Sequence, residues 1–302
     1  MTKRILDIRP NEFKDLTKDD IIQSINASEG RTMVSEVICA AMPMLYDVSN
    51  AELAASLGAD IILLNVYDVN KPYLMGFEPL PNKTVVESLK EKVGRVIGIN
   101  LEPVDNKEML EKKDTIDTGR TATAENARLA YEQGVQLLVL TGNPKTGVSN
   151  DAIISSLKAI RKELGEKLVL VAGKMHSSGT AGEASSRIID KKTINDFIEA
   201  GADIILIPAP GTVPGITLEF VKAMTDFVHS KGKMVLTTIG TSQEGASVET
   251  IRQIALMCKM AGADMHHIGD TGFFGMAVPE NIFEYSKTIR GVRHTYRRMA
   301  MK

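Results

Sequence analysis

One short phrase recurs four times along the chain. It reads Gly58-Ala-Asp-Ile-Ile-Leu-Leu-Asn65, Gly134-Val-Gln-Leu-Leu-Val-Leu-Thr141, Gly201-Ala-Asp-Ile-Ile-Leu-Ile-Pro208 and, in a more polar form, Gly262-Ala-Asp-Met-His-His-Ile-Gly269. Each copy follows a helical-looking stretch, places glycine where a left-handed helix stop falls, and then runs through apolar residues without alternation. Strands buried on both faces have this pattern, so the four copies are expected to be parallel strands. Successive copies start 76, 67 and 61 residues apart. Each interval holds a strand of a second kind, and together these are Val37–Ala41, Arg95–Asn100, Lys167–Ala172 and Lys233–Thr238. Eight strands separated by helix-length segments predict a closed α/β barrel, the (β/α)8 TIM barrel. An open doubly wound sheet also alternates strand and helix, but four regular βαβα units favour closure. In such a barrel the functional face lies at the carboxyl ends of the strands.

The chain has 302 residues and is 43% hydrophobic, enough for one barrel with a full core. Residues 1–33 are expected to form an N-terminal helical extension closing the barrel's amino-terminal mouth, with Thr17 capping a helix, and residues 34–302 to form the barrel. A net charge of −2 gives no reason to expect nucleic acid or an anionic membrane as partner. The one local basic excess, Arg290 to Lys302, is read as a solvated terminal helix or an oligomer contact. A homo-oligomer is expected, of no specified size. Cys39 and Cys258 lack zinc-type spacing and are expected as buried thiols in a reducing compartment. With no long apolar leader and no run of 18 apolar residues, the expected location is cytoplasmic.

Between the strands, helices are expected over 50–57 (capped by Ser49), 84–93, 124–133, 151–164, 193–200, 218–231 and 248–261, with a last one from Pro279. Two long connections, Val69 to Lys83 and Val104 to Thr123, are candidate lids; the second would carry Arg120 to an anionic ligand.

Residues two apart on a strand share a face. That rule pairs Lys174 with His176 (and with Leu170 and Ala172), Asn100 with Glu102, and Thr141 with Asn143. Polar pairs facing the helices would be costly, so all three are placed at the barrel mouth. Lys174, His176 and Glu102 are the candidate catalytic residues: the lysine to form an iminium or hold negative charge, the others to move a proton. Small and hydroxylated residues cluster in three successive loops, namely Gly211 and Thr212, then Gly240, Thr241 and Ser242, then Gly269, Thr271 and Gly272. Barrels often bind phosphate there through backbone N–H groups, and with Asn100, Thr141 and Asn143 these residues form the candidate phosphate or substrate site. Asp68, Glu102 and Asp270, with whichever of His266 and His267 faces inward, are candidate ligands for Mg2+.

Gly98-Ile-Asn-Leu-Glu-Pro103 resembles the strand-end motif of the phosphoenolpyruvate mutase/isocitrate lyase superfamily. That resemblance implies that Glu102 and Asp68 are linked to a bound Mg2+. Pro103 stands where that family has an acidic residue, and Asp68 with Asn70 stands in place of its paired aspartates. The Val139-Leu-Thr-Gly-Asn143 strand end is similar to phosphate-binding barrels of the BtpA type. Three functions follow. The first is a barrel enzyme acting on a small phosphorylated or carboxylated metabolite, with lyase or isomerase chemistry next to a carbonyl. The others are a Mg2+-dependent mutase or lyase, and a non-catalytic metabolite-sensing barrel.

Overall fold

The computed structural model describes residues 3–105, 115–177 and 187–301. Eight parallel strands close in sequence order, with the first pairing the last. They are β1 (Thr32–Ile38), β2 (Ile61–Asn65), β3 (Val96–Leu101), β4 (Leu137–Leu140), β5 (Val169–Gly173), β6 (Ile204–Pro208), β7 (Met234–Ile239) and β8 (Met265–Ile268). The intervening helices are α1 (Lys18–Asn26), α2 (Asn50–Ser56), α3 (Val85–Val93), α4 (Ala124–Glu132), α5 (Asn150–Leu164), α6 (Lys191–Glu199), α7 (Leu218–Ser230), α8 (Val248–Ala261) and α9 (Pro279–Ala300). The chain is therefore a (β/α)8 barrel.

Hydroxyl side chains start most of these helices. Ser49, Thr84, Thr123, Ser149, Thr217 and Ser247 each accept a backbone N–H from the first turn, which satisfies a donor the helix leaves unpaired. Thr17 begins α1 with a reciprocal capping box to Asp20, as expected.

Strand parity divides the core into two layers. Val34, Ile61, Leu63, Val96, Leu137, Val139, Val169, Val171 and Leu206 fill the barrel interior. Their alternates, such as Val37, Ile62, Leu64, Leu138, Leu170 and Ala172, pack against the helices. Ile5, Phe13, Ile21 and Ile25 join the interior layer, so the N-terminal segment plugs the barrel's amino-terminal end.

Two expectations need correction. The first strand runs over Thr32–Ile38, ahead of the expected 37–41, and begins inside the stretch assigned to the extension. Ser35 and Glu36 interrupt its apolar run, and Glu36 is tolerated there because partners across the barrel satisfy it. The basic tail is not simply solvated. Within α9, Arg290 and Arg298 are buried and ion-paired with buried Asp60 at 2.5 and 2.9 Å. Arg95, also buried, donates to the carbonyls of Ala59, Val93, Ala55 and Arg298. These guanidiniums clamp the last helix to the barrel's amino-terminal end, and α9 breaks at Gly291, where φ is 74°. Among the described residues no helix is long and apolar enough to cross a membrane.

Candidate functional site

At the carboxyl ends of the strands the apolar interior gives way to polar side chains. The last inward positions are Glu36 on β1, Asn65 on β2, Asn100 on β3, Thr141 after β4 and His267 on β8. Loops add Asn143, His176, Ser242, Glu244 and Asp270 above them. All of these but His267, which lies beneath Glu36, line a cavity of about 230 Å3. A larger recess, about 480 Å3, lies at the opposite end, lined by Lys18, Asp203, His229 and Asp264. Its charges engage one another, Lys18 with Asp203 and His229 with Asp264, both at 2.8 Å.

Glu36 anchors the cavity floor. Its Oε1 accepts from Asn100 Nδ2 at 2.5 Å, and its Oε2 lies 2.9 Å from Nε2 of fully buried His267. Asn65 bridges the walls: its Nδ2 donates to Asn143 Oδ1 at 2.9 Å and to Asp270 Oδ2 at 2.8 Å. Asn143 Nδ2 returns a bond to Asn65 Oδ1 at 3.0 Å. Asp270 Oδ1 accepts from the Gly272 N–H at 2.9 Å.

The electrostatics follow from burial and from three carboxylates facing one void. Desolvation, reinforced by the charges of Glu36 and Glu244, pushes Asp270 up from 3.8 to about 7. Burial likewise raises Glu244, with Glu36 adding to the effect. His176 is pulled down by burial, against the attraction of Glu36 and Glu102. Among the described residues no Lys or Arg side chain lines the cavity.

Of the residues expected at the site, Asn100, Thr141, Asn143, His176, Gly240, Ser242, Gly269, Asp270 and Gly272 line this cavity. Lys174 does not. Leu170 and Ala172, which share its parity, belong to the layer facing the helices, and Lys174 is buried with its Nζ donating to the Val148 carbonyl at 3.1 Å. The strand ends at Gly173, whose φ of 152° lets its backbone pass so close to the Leu206 carbonyl that a Cβ would sit 2.1 Å from the oxygen. Beyond that point the period of two no longer applies; Met175 and His176 both reach the cavity and the expected pairing of Lys174 with His176 is broken.

Glu102 sits beside the cavity with both oxygens engaged. Arg120 ion-pairs with Oε1, and the Asn143 N–H donates to Oε2 at 3.1 Å. Arg120 therefore meets Glu102, where an external anion was expected. Asp68 accepts from the Asn70 N–H at 2.8 Å and lies under Gly119, where a Cβ would come within 1.7 Å of its Oδ1. Among the described residues no three His, Cys, Asp or Glu side chains gather into a group able to hold a metal ion. Asp68, Glu102 and Asp270 do not form the expected Mg2+ set, since local partners occupy the first two. Thr241 Oγ1 donates to the Thr212 carbonyl at 2.7 Å, and Thr212 Oγ1 to the Ala209 carbonyl at 2.7 Å, so these hydroxyls join loops to each other. Gly211 is exposed and Thr271 adopts a left-handed turn with φ of 57°, and neither lines the cavity. As expected, one strand histidine faces inward and the other outward: His267 meets Glu36, while the His266 ring packs on Tyr285 of α9. Residues 106–114 of the second expected lid, and residues 178–186 after β5, lie outside the described residues.

Three polar side chains of the cavity were not expected from the sequence: Glu36, Asn65 and Glu244. Glu36 carried a signal, as the lone carboxylate within a strand-like run. Asn65 ends one copy of the repeated phrase, and Glu244 sits inside the glycine-bounded loop read as phosphate-binding.

Residues 6–302 match a single family model. The chain belongs to the DUF7916 family, described as a domain of unknown function. No curated protein sequence matches it. Solved structures similar to this DUF7916 chain include an archaeal fructose-1,6-bisphosphate aldolase, at 14% identity and TM-score 0.56 over 88% of this chain and 96% of that one. A 2,3-dimethylmalate lyase of the phosphoenolpyruvate mutase/isocitrate lyase superfamily is similar at 12% identity and TM-score 0.50, over 86% and 82%. An endo-β-1,4-mannanase from Thermotoga petrophila is similar at 13% identity and TM-score 0.50, over 88% and 78%. The family resemblance seen in the strand-end motif thus extends to the fold. An aldolase, a lyase and a mannanase on one scaffold leave the function of the DUF7916 chain to be argued from its own cavity.

Proposed function

We propose that the chain is an enzyme that moves protons at the carbon next to a carbonyl in a small metabolite, of lyase or isomerase type, with Asp270 as its acid–base group. One observation carries the reading: Asp270 faces the cavity at the catalytic end of the barrel with its pKa held at about 7. A general base works best when its pKa is close to the working pH, and burial beside like charges is how a carboxyl reaches that value. Asp270 in its ionised form would take the carbon-bound proton. His176, kept neutral by burial, is placed to relay the proton back. Asn65 holds the Asp270 carboxyl in position, and Asn100 and His267 hold Glu36. Lys174 lies off the cavity lining, so this reading uses no iminium.

Solvent exchange tests it. Proton NMR in D2O is followed for a panel of small aldehydes, ketones and 2-keto acids, comparing wild type with Asp270→Asn. The expected result is loss of an α-proton signal for at least one compound with wild type, slowed at least about 100-fold in the variant. Equal exchange by both proteins, or none on any panel member, counts against the assignment.

A further inference from the structure

We propose that the ligand of this cavity is a small protonated amine, recognised by hydrogen-bond acceptors. The inference deepens the acid–base reading by naming the substrate class: an amine that also carries the reacting carbonyl. Three cavity residues have buried side-chain atoms with no hydrogen-bond partner, namely Asn100 Oδ1, Thr141 Oγ1 and Glu244 Oε2. Their side chains belong to residues only 4%, 3% and 5% exposed, so these atoms are reached only through the cavity. An amide oxygen and a carboxylate oxygen only accept, and the Asn100 amide cannot turn because its Nδ2 is committed to Glu36. What fills the cavity must therefore donate. Buried polar atoms of this kind are costly unless a partner satisfies them.

Charge points the same way. Glu36, Glu244 and Asp270 all line the void, and no Lys or Arg among the described residues does. A phosphate or carboxylate there would lose its hydration and face three carboxyl groups. An ammonium group would meet acceptors with each of its three donors and offset their charge. The expectation of an anionic metabolite rested on glycines and hydroxyls in the loops after β6 to β8. In the folded chain those loops also deliver Glu244 and Asp270 to the same place, and Thr212 and Thr241 spend their hydroxyls on loop carbonyls. The volume, about 230 Å3, sets the scale of the ligand as a small molecule.

The test is a ligand-observed NMR titration of the full chain at pH 8 with four probes: n-propylammonium, n-propanol, propionate and inorganic phosphate. Propylammonium is expected to bind at least about 10-fold more tightly than the other three. Glu244→Gln should weaken it by about 10-fold, and Thr141→Val by a smaller factor, with circular dichroism melts showing that both variants fold. Propionate or phosphate binding as tightly as the amine would overturn the proposal. So would an absence of propylammonium binding to wild type, or an unchanged affinity in folded Glu244→Gln. Selective amine binding without deuterium exchange would remove the acid–base reading alone. Exchange confined to amine-free compounds, with no ammonium binding, would remove the ligand class alone.

Discussion

Replacing Asp270 by Asn should make the protein more stable at pH 8 while removing its proposed activity. In the folded chain Asp270 keeps its proton up to about pH 7, whereas an unperturbed aspartate releases it near 3.8. Between those values the folded state binds more protons than the unfolded state. The stability tied to this group is therefore fully present below pH 3.8 and is lost as pH rises toward about 7. Above pH 7 the loss is complete, about 4 kcal/mol at 1.36 kcal/mol per decade of pKa. The amide introduced by Asp270→Asn carries no charge at any pH, but its one oxygen can keep only one of the two bonds now made with Asn65 Nδ2 and the Gly272 N–H. Losing the other costs about 1 kcal/mol. The net gain at pH 8 is about 3 kcal/mol, roughly 6 °C in Tm for a chain of this size. At pH 5 the cost removed is only about 1.6 kcal/mol, so the net gain falls below about 1 kcal/mol. Thermal melts of both proteins at pH 5 and pH 8 read the effect directly. A variant no more stable than wild type at pH 8, or equally favoured at both values, would refute the claim that burial beside Glu36 and Glu244 holds this carboxyl up. The outcome expected is an active site built at the expense of stability.

Three other perturbations probe the frame around the site. Asp60→Asn leaves the buried guanidiniums of Arg290 and Arg298 without their counter-ion and should cost about 3–5 kcal/mol in urea unfolding; a loss under about 1 kcal/mol would show that α9 is not clamped there. Gly119→Ala puts a methyl 1.7 Å from Asp68 Oδ1, so the Thr118–Arg120 turn must move and pull Arg120 from Glu102. A lowered Tm is expected, and a melt identical to wild type would contradict the close approach. Cys39 and Cys258 are fully buried, with Cys258 pushed up to about 11 by desolvation, so neither should react with an aromatic disulfide reagent at pH 8 until urea unfolds the chain.

The architecture was legible because its signals are local. A glycine stop followed by Ile-Ile-Leu-Leu marks a strand wherever it occurs, and four copies with four intervening strands leave little but a closed barrel. Ser49 and Thr17 mark helix starts by chemistry confined to three residues. Side-chain direction was also legible where a strand stays regular, and Thr141 and Asn143 do line the cavity together. It failed at β5, because Gly173 ends the alternation and a count carried through it assigns Lys174 and His176 to one face. Glu36 interrupts the apolar run of the first strand, and nothing near it in the sequence satisfies it. Its partners are Asn100 and His267, the latter 231 residues away. The same holds for the sign of charge at the mouth. Glycines and hydroxyls predict an anion site one loop at a time, but the charge of a cavity is the sum over every strand end that meets there. The chain's local pattern determines which elements form. Only barrel closure, which brings β1 beside β8, gathers Glu36, Glu244 and Asp270 around one void and lifts the last of them to about 7.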